Sequence, residues 1–172
     1  MLQFSGLWFA ISKKDPEGVF LQDNIKAVFT VDDNGTMQAT AYGRVKIFGT
    51  WLTCAEMFGK FIDTDHPSIF RMKYWGVFQY LQRGKDEFWV IDTDYNSFAV
   101  TYSCRKRKED GSCSDSYSLV FSRSLEKLPL ATKRRINLAQ RRLCLVSQYY
   151  RLLNNGECAV KPEVDSLPTP TK

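Results

Sequence analysis

Apolar and polar residues alternate with a period of two along much of this chain. Over 36–45 one face carries Met37, Ala39, Ala41, Gly43 and Val45, and the other carries Thr36, Gln38, Thr40, Tyr42 and Arg44. The same period groups Ile25, Ala27, Phe29 and Val31, then Ala55, Met57, Gly59 and Phe61, then Phe70, Met72, Tyr74 and Gly76, and finally Tyr117, Leu119 and Phe121. Side chains of a strand point alternately to its two faces, so each group lines one buried face. Turn chemistry separates the runs: Asp15-Pro16-Glu17-Gly18, Asp32-Asp33-Asn34-Gly35, 63–68 around Pro67, Gln82-Arg83-Gly84-Lys85, 92–97, and Lys108-Glu109-Asp110-Gly111. Many short strands joined in this way predict a meander that closes as a sandwich or a barrel. Asn34-Gly35 between alternating runs is the strongest hairpin signal. Asn34-Gly35-Thr36 also has the form of a glycosylation acceptor, but the turn accounts for these residues.

The inward faces mix large side chains with many small ones. In a barrel of about eight strands, bulky inward residues fill the bore, whereas Ala27, Ala39, Ala41, Gly43, Gly59 and Gly76 leave it partly empty. Interiors are otherwise close-packed, so such a space either takes an apolar occupant or is filled by a neighbouring Phe or Tyr. Beyond Leu128-Pro129 the period changes. Ile136, Ala139, Leu143 and Val146 form a helical stripe, with Arg134, Arg135, Arg141 and Arg142 on other faces. That helix is expected on the outside, over Phe98, Val100 and Tyr102. The expected layout is one domain over 1–160 and a disordered tail over 161–172.

Composition narrows the function classes. A chain of 172 residues with 44% hydrophobic content supports one domain with a real core. The net charge of +5 is too modest for a general nucleic-acid binder. The five cysteines, 54, 104, 113, 144 and 158, have no zinc spacing, and a single His argues against any metal site. They fit disulfides in an oxidising compartment, with at least one thiol unpaired or paired outside the chain. No run of about 18 apolar residues exists to span a membrane. Met1-Leu2-Gln3 leads directly into the first strand without an export signal, which a secreted chain would need to carry elsewhere.

Near the start, Gly6 and Trp8 place a permissive backbone two residues before the largest apolar ring. That pair suits the floor of a barrel as well as an ordinary first strand with a core Trp. Gly6-Leu7-Trp8, Thr93-Asp94-Tyr95 and Arg123 together resemble the three signature motifs of the lipocalins. Lys13 to Gly18 (KKDPEG), Phe20 to Ile25 (FLQDNI), Met72 to Gly76 (MKYWG), Asp92 to Tyr95 (DTDY) and Ser116 with Val120 to Arg123 (VFSR) resemble the branch of retinol-binding protein and purpurin. The resemblance covers roughly 4–158. It implies an all-β fold, an eight-stranded antiparallel up-and-down barrel with one C-terminal helix packed outside, carrying retinol or a related retinoid and needing no cofactor. The implied ligand contacts are Phe20, Phe29, Ala39, Ala41, Met57, Phe61, Met72, Tyr74, Leu119 and Phe121. Arg123 is placed to stack on Trp8 by a cation–π contact. The implied disulfides are Cys104–Cys113 and Cys54–Cys158, leaving Cys144 unpaired.

Large side chains near turns, Phe48, Trp51, Trp75, Tyr80 and Leu81, mark a partner surface. In the plasma retinol-binding branch the similar rim meets transthyretin and a cell-surface retinoid receptor. Two positions depart from the family: Phe88 stands in place of a His, and Phe78-Gln79-Tyr80 is bulkier than usual; both are expected near the ligand entrance or the surface around it. Enzymatic readings find little support. His66 sits in a turn with no serine signature near it, and Cys144 lies on the expected outer helix. The basic run Arg105-Lys106-Arg107-Lys108, with the helix arginines, reads either as a polyanion-binding module or as a solvated hairpin tip.

Overall fold

The structure, a computed structural model, describes residues 2–18, 20–47, 49, 51–76 and 84–158. Eight strands follow one another: β1 (Gly6–Lys14), β2 (Leu21–Val31), β3 (Met37–Ile47), β4 (Trp51–Asp63), β5 (Ile69–Gly76), β6 (Gly84–Thr93), β7 (Phe98–Arg107) and β8 (Cys113–Ser122). Each pairs antiparallel with the next, and β1 pairs with both β2 and β8, so the sheet closes into a barrel. A short strand β9 (Tyr150–Arg151) adds to Ser12 and Lys13, where β1 has already parted from β2. Closure removes the free edges that an open sheet would expose.

Alternation decides what lies inside. Ile25, Ala27, Phe29, Met37, Val45, Ala55, Phe61, Phe70, Met72, Tyr117, Leu119 and Phe121 are all buried in one core cluster. The period is interrupted in β2, whose pairing with β3 shifts register on either side of Asp23. There Asp23 turns out to an ion pair with Arg44 at 2.6 Å, and Asn24 takes a φ of +52°. Asn24 is fully buried, bonded through its own amide to the Leu153 carbonyl and through Oδ1 to the Asn155 amide. Gly43 faces this irregularity; a Cβ there would meet the Asp23 carbonyl at 3.1 Å.

A second apolar cluster lies outside the barrel. The helix α1 (Leu130–Arg142) buries Ile136 and Ala139 against Phe98, Val100 and Val120, with Leu143 packed beside them. Two expectations need correction. Val146 falls beyond the helix, in a short turn over Val146–Gln148, and is 40% exposed. Tyr102 does not join the covered patch; its ring meets Trp89 edge-on at 6.4 Å. The stripe is therefore shorter than its sequence spacing suggests.

The segment after α1 ties the barrel shut. Leu152 reaches the inner core, its amide donates to the Ile11 carbonyl, and Asn154 donates to the Ala10 carbonyl. Cys158 is bonded to Cys54 and Cys104 to Cys113, while Cys144 is free and exposed. In the chain-entropy picture the 104-residue separation contributes about 4.7 kcal/mol and the nine-residue one about 3 kcal/mol. The tail beyond residue 158 lies outside the described residues. Among those described, no helix is long and apolar enough to cross a membrane.

Candidate ligand-binding site

The strand directions give the barrel two ends. The connections β2–β3, β4–β5 and β6–β7 gather at one end with the start of β1; β1–β2, β3–β4, β5–β6 and β7–β8 gather at the other. The first end is sealed. Trp8 is fully buried, and its indole N–H donates to the Phe4 carbonyl at 2.8 Å. The Arg123 guanidinium carbon lies 3.7 Å from the Trp8 ring centre. Arg123 also donates to the carbonyls of Leu7, Gln3 and Tyr95 at 3.1, 3.2 and 3.1 Å. This clamp requires Gly6: its φ is +98°, and a Cβ would stand 3.1 Å from Arg123 Nη1.

Thr93, Asp94 and Tyr95 shape the adjoining turn. Thr93 Oγ1 donates to the Phe98 carbonyl and accepts the Tyr95 amide. The Asp94 carboxylate accepts the amides of Asn96, Ser97 and Phe98 and the Ser97 hydroxyl. Burial pushes the Asp94 carboxyl up, but these donors outweigh it and hold it below the usual range. The turn in turn presents the Tyr95 carbonyl to Arg123, so the three motifs form one floor.

Above the floor the bore is apolar. Phe29, Phe61, Phe70, Phe88 and Phe121 meet at ring distances of 5.0–6.4 Å, mostly edge to face. A cavity of about 90 Å³ remains. All ten positions expected at the ligand, Phe20, Phe29, Ala39, Ala41, Met57, Phe61, Met72, Tyr74, Leu119 and Phe121, line it. Leu21, Ile25, Ala27, Phe58, Gly59, Phe88 and Tyr117 complete the wall. Phe88 thus belongs to the bore rather than to the entrance or the outer surface. Its inward phase was not legible in the sequence, because Lys85-Asp86-Glu87 is polar throughout and Phe88-Trp89-Val90-Ile91 apolar throughout, so β6 shows no alternation. The half-empty bore expected from the small residues is largely taken up by these phenyl rings.

The second end carries the polar groups. Phe20 and Tyr117 meet there at 4.9 Å. Asp86, Ser103, Asp115 and Tyr117 are buried near Tyr74 and Arg105. Burial pushes the Asp86 carboxyl up to about 6, against the lowering pull of Arg105 and the Tyr74 and Tyr117 hydroxyls. Burial raises both phenols as well, so they remain neutral donors. Arg105 donates to the Glu17 carbonyl at 2.9 Å, and Asp115 accepts the Glu17 amide at 2.9 Å. The β1–β2 connection is thereby pinned beside the mouth. Lys13 is fully buried next to it, paired with Asp15 at 2.6 Å, and desolvation lowers its pKa despite that partner.

The wall holds apolar carbon, two thioethers and two phenols, with carboxylates only behind the phenols. Such an arrangement suits an apolar molecule with one polar end at the mouth. Among the described residues no group of His, Cys, Asp and Glu could hold a metal. His66 lies in the exposed β4–β5 turn at the sealed end, where its Nδ1 accepts the Ser68 amide. Of the expected partner surface, Trp75 is 38% exposed and stacks on Phe58 at 6.2 Å. Phe48, Tyr80, Leu81 and the Trp51 side chain lie outside the described residues, as does 77–83.

The sequence profile of the Lipocalin / cytosolic fatty-acid binding protein family matches residues 5–153. The chain belongs to the lipocalin family. This lipocalin is 54% identical over 165 residues to "Retinol-binding protein 4" of Rattus norvegicus, across 96% of the chain and 82% of the relative. It is 48% identical over 158 residues to "Purpurin" of Gallus gallus, across 91% and 81%. Among solved structures it resembles lobster apocrustacyanin A1, with a TM-score of 0.64, 16% identity and coverage of 91% and 81%. It also resembles insecticyanin of the tobacco hornworm Manduca sexta, with a TM-score of 0.62, 18% identity and coverage of 91% and 82%. At those identities the two structures speak for the fold alone.

Proposed function

We propose that this lipocalin carries retinol, or an apolar retinoid of similar size, in its bore and transports it outside the cell. The observation that carries the proposal is the apolar cavity whose only polar side-chain groups among the described residues, Tyr74 and Tyr117, stand toward the mouth, in a chain sharing 54% identity with a retinol-binding protein. The isoprenoid part would lie against the phenyl rings and the soft sulfurs of Met57 and Met72. The alcohol would face the phenols. Two disulfides suit an oxidising compartment, in keeping with a secreted carrier. The assignment is a carrier role, not catalysis.

Size sets a condition. Retinol has on the order of 20 heavy atoms, and at about −0.3 kcal/mol per atom it would bind only at about 10–100 μM. A useful carrier needs closer to about −0.4 kcal/mol per atom, and therefore nearly full enclosure. A cavity of about 90 Å³ does not enclose that many atoms, so loading requires side chains to turn. Phe20 at the mouth and the unbranched Met57 and Met72 are the movable ones. Titration of the protein with all-trans-retinol, read by retinol fluorescence enhancement and tryptophan quenching, tests this directly. Saturation at one equivalent supports it; no saturable signal overturns it. The narrow bore favours one second reading, a slimmer lipid such as a straight-chain fatty acid, and displacement of retinol by such a lipid at lower concentration would select it.

The same reading extends to protein partners, a transthyretin-like carrier and a cell-surface retinoid receptor, at the rim that includes Trp75. Loss of transthyretin co-elution in a Trp75→Ala variant that still binds retinol is the expected result.

A further inference from the structure

Three lysines stand in a line across the outer face of the barrel. Lys60 of β4 sits directly opposite Lys73 of β5, and Lys73 sits directly opposite Lys85 of β6. All three are exposed. Neighbouring strands are about 4.8 Å apart, so the line places three lysine backbone positions within about 10 Å. Arg71, two residues along β5 on the same face, extends it and is also exposed. Its cross-strand neighbour Glu87 is taken by Arg107. None of Lys60, Lys73, Lys85 and Arg71 forms an ion pair among the described residues. Asp32, which feels the Lys60 charge, is held by Thr36, Gln38 and Asn34.

Like charges directly opposite one another destabilise a sheet. The basic run at the β7–β8 hairpin is different, because three of its four cations are answered: Arg105 by Asp115, Lys106 by Glu17 and Arg107 by Glu87. The lysine line has no such answer among the described residues. A hollow of about 510 Å³ borders two of the three lysines, Lys73 and Lys85; Arg71, Arg105 and Arg107 also line it, and they and the lysines outnumber its two carboxylates, Asp86 and Glu87.

We propose that this line of lysines binds a linear sulfated polysaccharide laid across β4, β5 and β6. Lysine is a compact point charge that meets a sulfate without needing a planar, two-pronged partner. The lysines follow one line across three strands, which suits a single extended chain better than a flat bilayer. No aromatic ring borders the hollow among the described residues, so nothing there stacks nucleic-acid bases. The extracellular setting of the proposed carrier role, which the two disulfides suit, is one where sulfated polysaccharides are abundant extended polyanions.

The test uses the full chain and heparin as probe, with affinity measured by calorimetry at several salt concentrations. A Lys60→Gln, Lys73→Gln, Lys85→Gln variant should lose about tenfold or more in affinity and show a shallower salt dependence, since it releases about three fewer counterions. A control variant at the hairpin, Lys106→Gln with Lys108→Gln, should bind as the parent does. Lys73→Glu alone sets an acid between two lysines and should weaken heparin binding while its melting temperature holds or rises, which separates lost binding from lost fold. Equal affinity in the triple variant overturns the proposal. So does an equal loss in the hairpin variant, equal binding of desulfated heparin, or tighter binding to phosphatidylserine vesicles than to heparin. Retinol titration of the same variants reads the bore separately and should be unchanged.

Discussion

Replacing Gly6 by alanine, alone and together with Arg123→Ala, tests whether the floor of the barrel is built as one unit. The Gly6 φ of +98° lies where an L-residue is strained, at a cost of about 1–2 kcal/mol. The added Cβ would also stand 3.1 Å from Arg123 Nη1 and push the guanidinium off the Trp8 ring, now 3.7 Å away. A partly desolvated cation–π contact is worth about 1–2 kcal/mol. Gly6→Ala should therefore cost about 2–4 kcal/mol. Arg123→Ala should cost about 2 kcal/mol, because the carbonyls of Gln3, Leu7 and Tyr95 sit at exposed hydrogen bonds and regain water. Once Arg123 is gone, the methyl added by Gly6→Ala has nothing to displace and only the backbone strain remains. The double variant should then cost less than the two singles added together, by about 1 kcal/mol or more. Urea unfolding of the four ligand-free proteins, followed by tryptophan fluorescence, gives all the terms. Additivity within about 0.5 kcal/mol would refute the reasoning, since it would mean Gly6 answers only to its own dihedral.

Asp86→Asn should remove a pH-dependent penalty. With the folded carboxyl pushed up to about 6 from 3.8, the protonated form is the one the fold favours, so its stability contribution is present below about pH 4 and lost as pH rises through about 6. The variant-minus-parent stability difference should grow across that window to about 1–3 kcal/mol, discounted for the partner Arg105 loses, and an unchanging difference would contradict the assignment. Cys144 should take up one equivalent of a thiol reagent in the native protein, with the four bonded cysteines reacting only after reduction; zero or several equivalents would contradict the pairing. Ala41→Leu should keep the melting temperature within a few degrees by filling the free 90 Å³, while weakening retinol binding by about tenfold or more; unchanged affinity would place the ligand elsewhere.

The barrel was legible because its strands obey a period of two and its turns use residues that few other structures need. That regularity was enough to place the buried faces of β3, β4, β5 and β8 correctly, and with them the wall of the cavity. The sequence was less informative wherever a register shift or a distant partner decides the outcome. In β2 the shifts around Asp23 turn that side chain outward although its parity points inward, and only the opposing Gly43 and Arg44 on another strand make room for it. Val146 keeps helical spacing with Ile136 and Ala139, yet the chain leaves the helix at Leu143 and takes a φ of +57° at Cys144. Strand β9 has two residues and no pattern at all; it exists because β1 leaves an unpaired edge above its contact with β2. The free volume of the bore belongs to the same class. Counting small residues on the inward faces predicts space, but the rings of Phe61 and Phe88 come from strands whose own spacing says nothing about how far they reach across the axis. Period identifies which side chains face the bore; the width that remains is set by how five phenyl rings share it, and that is a property of the closed barrel rather than of any one strand.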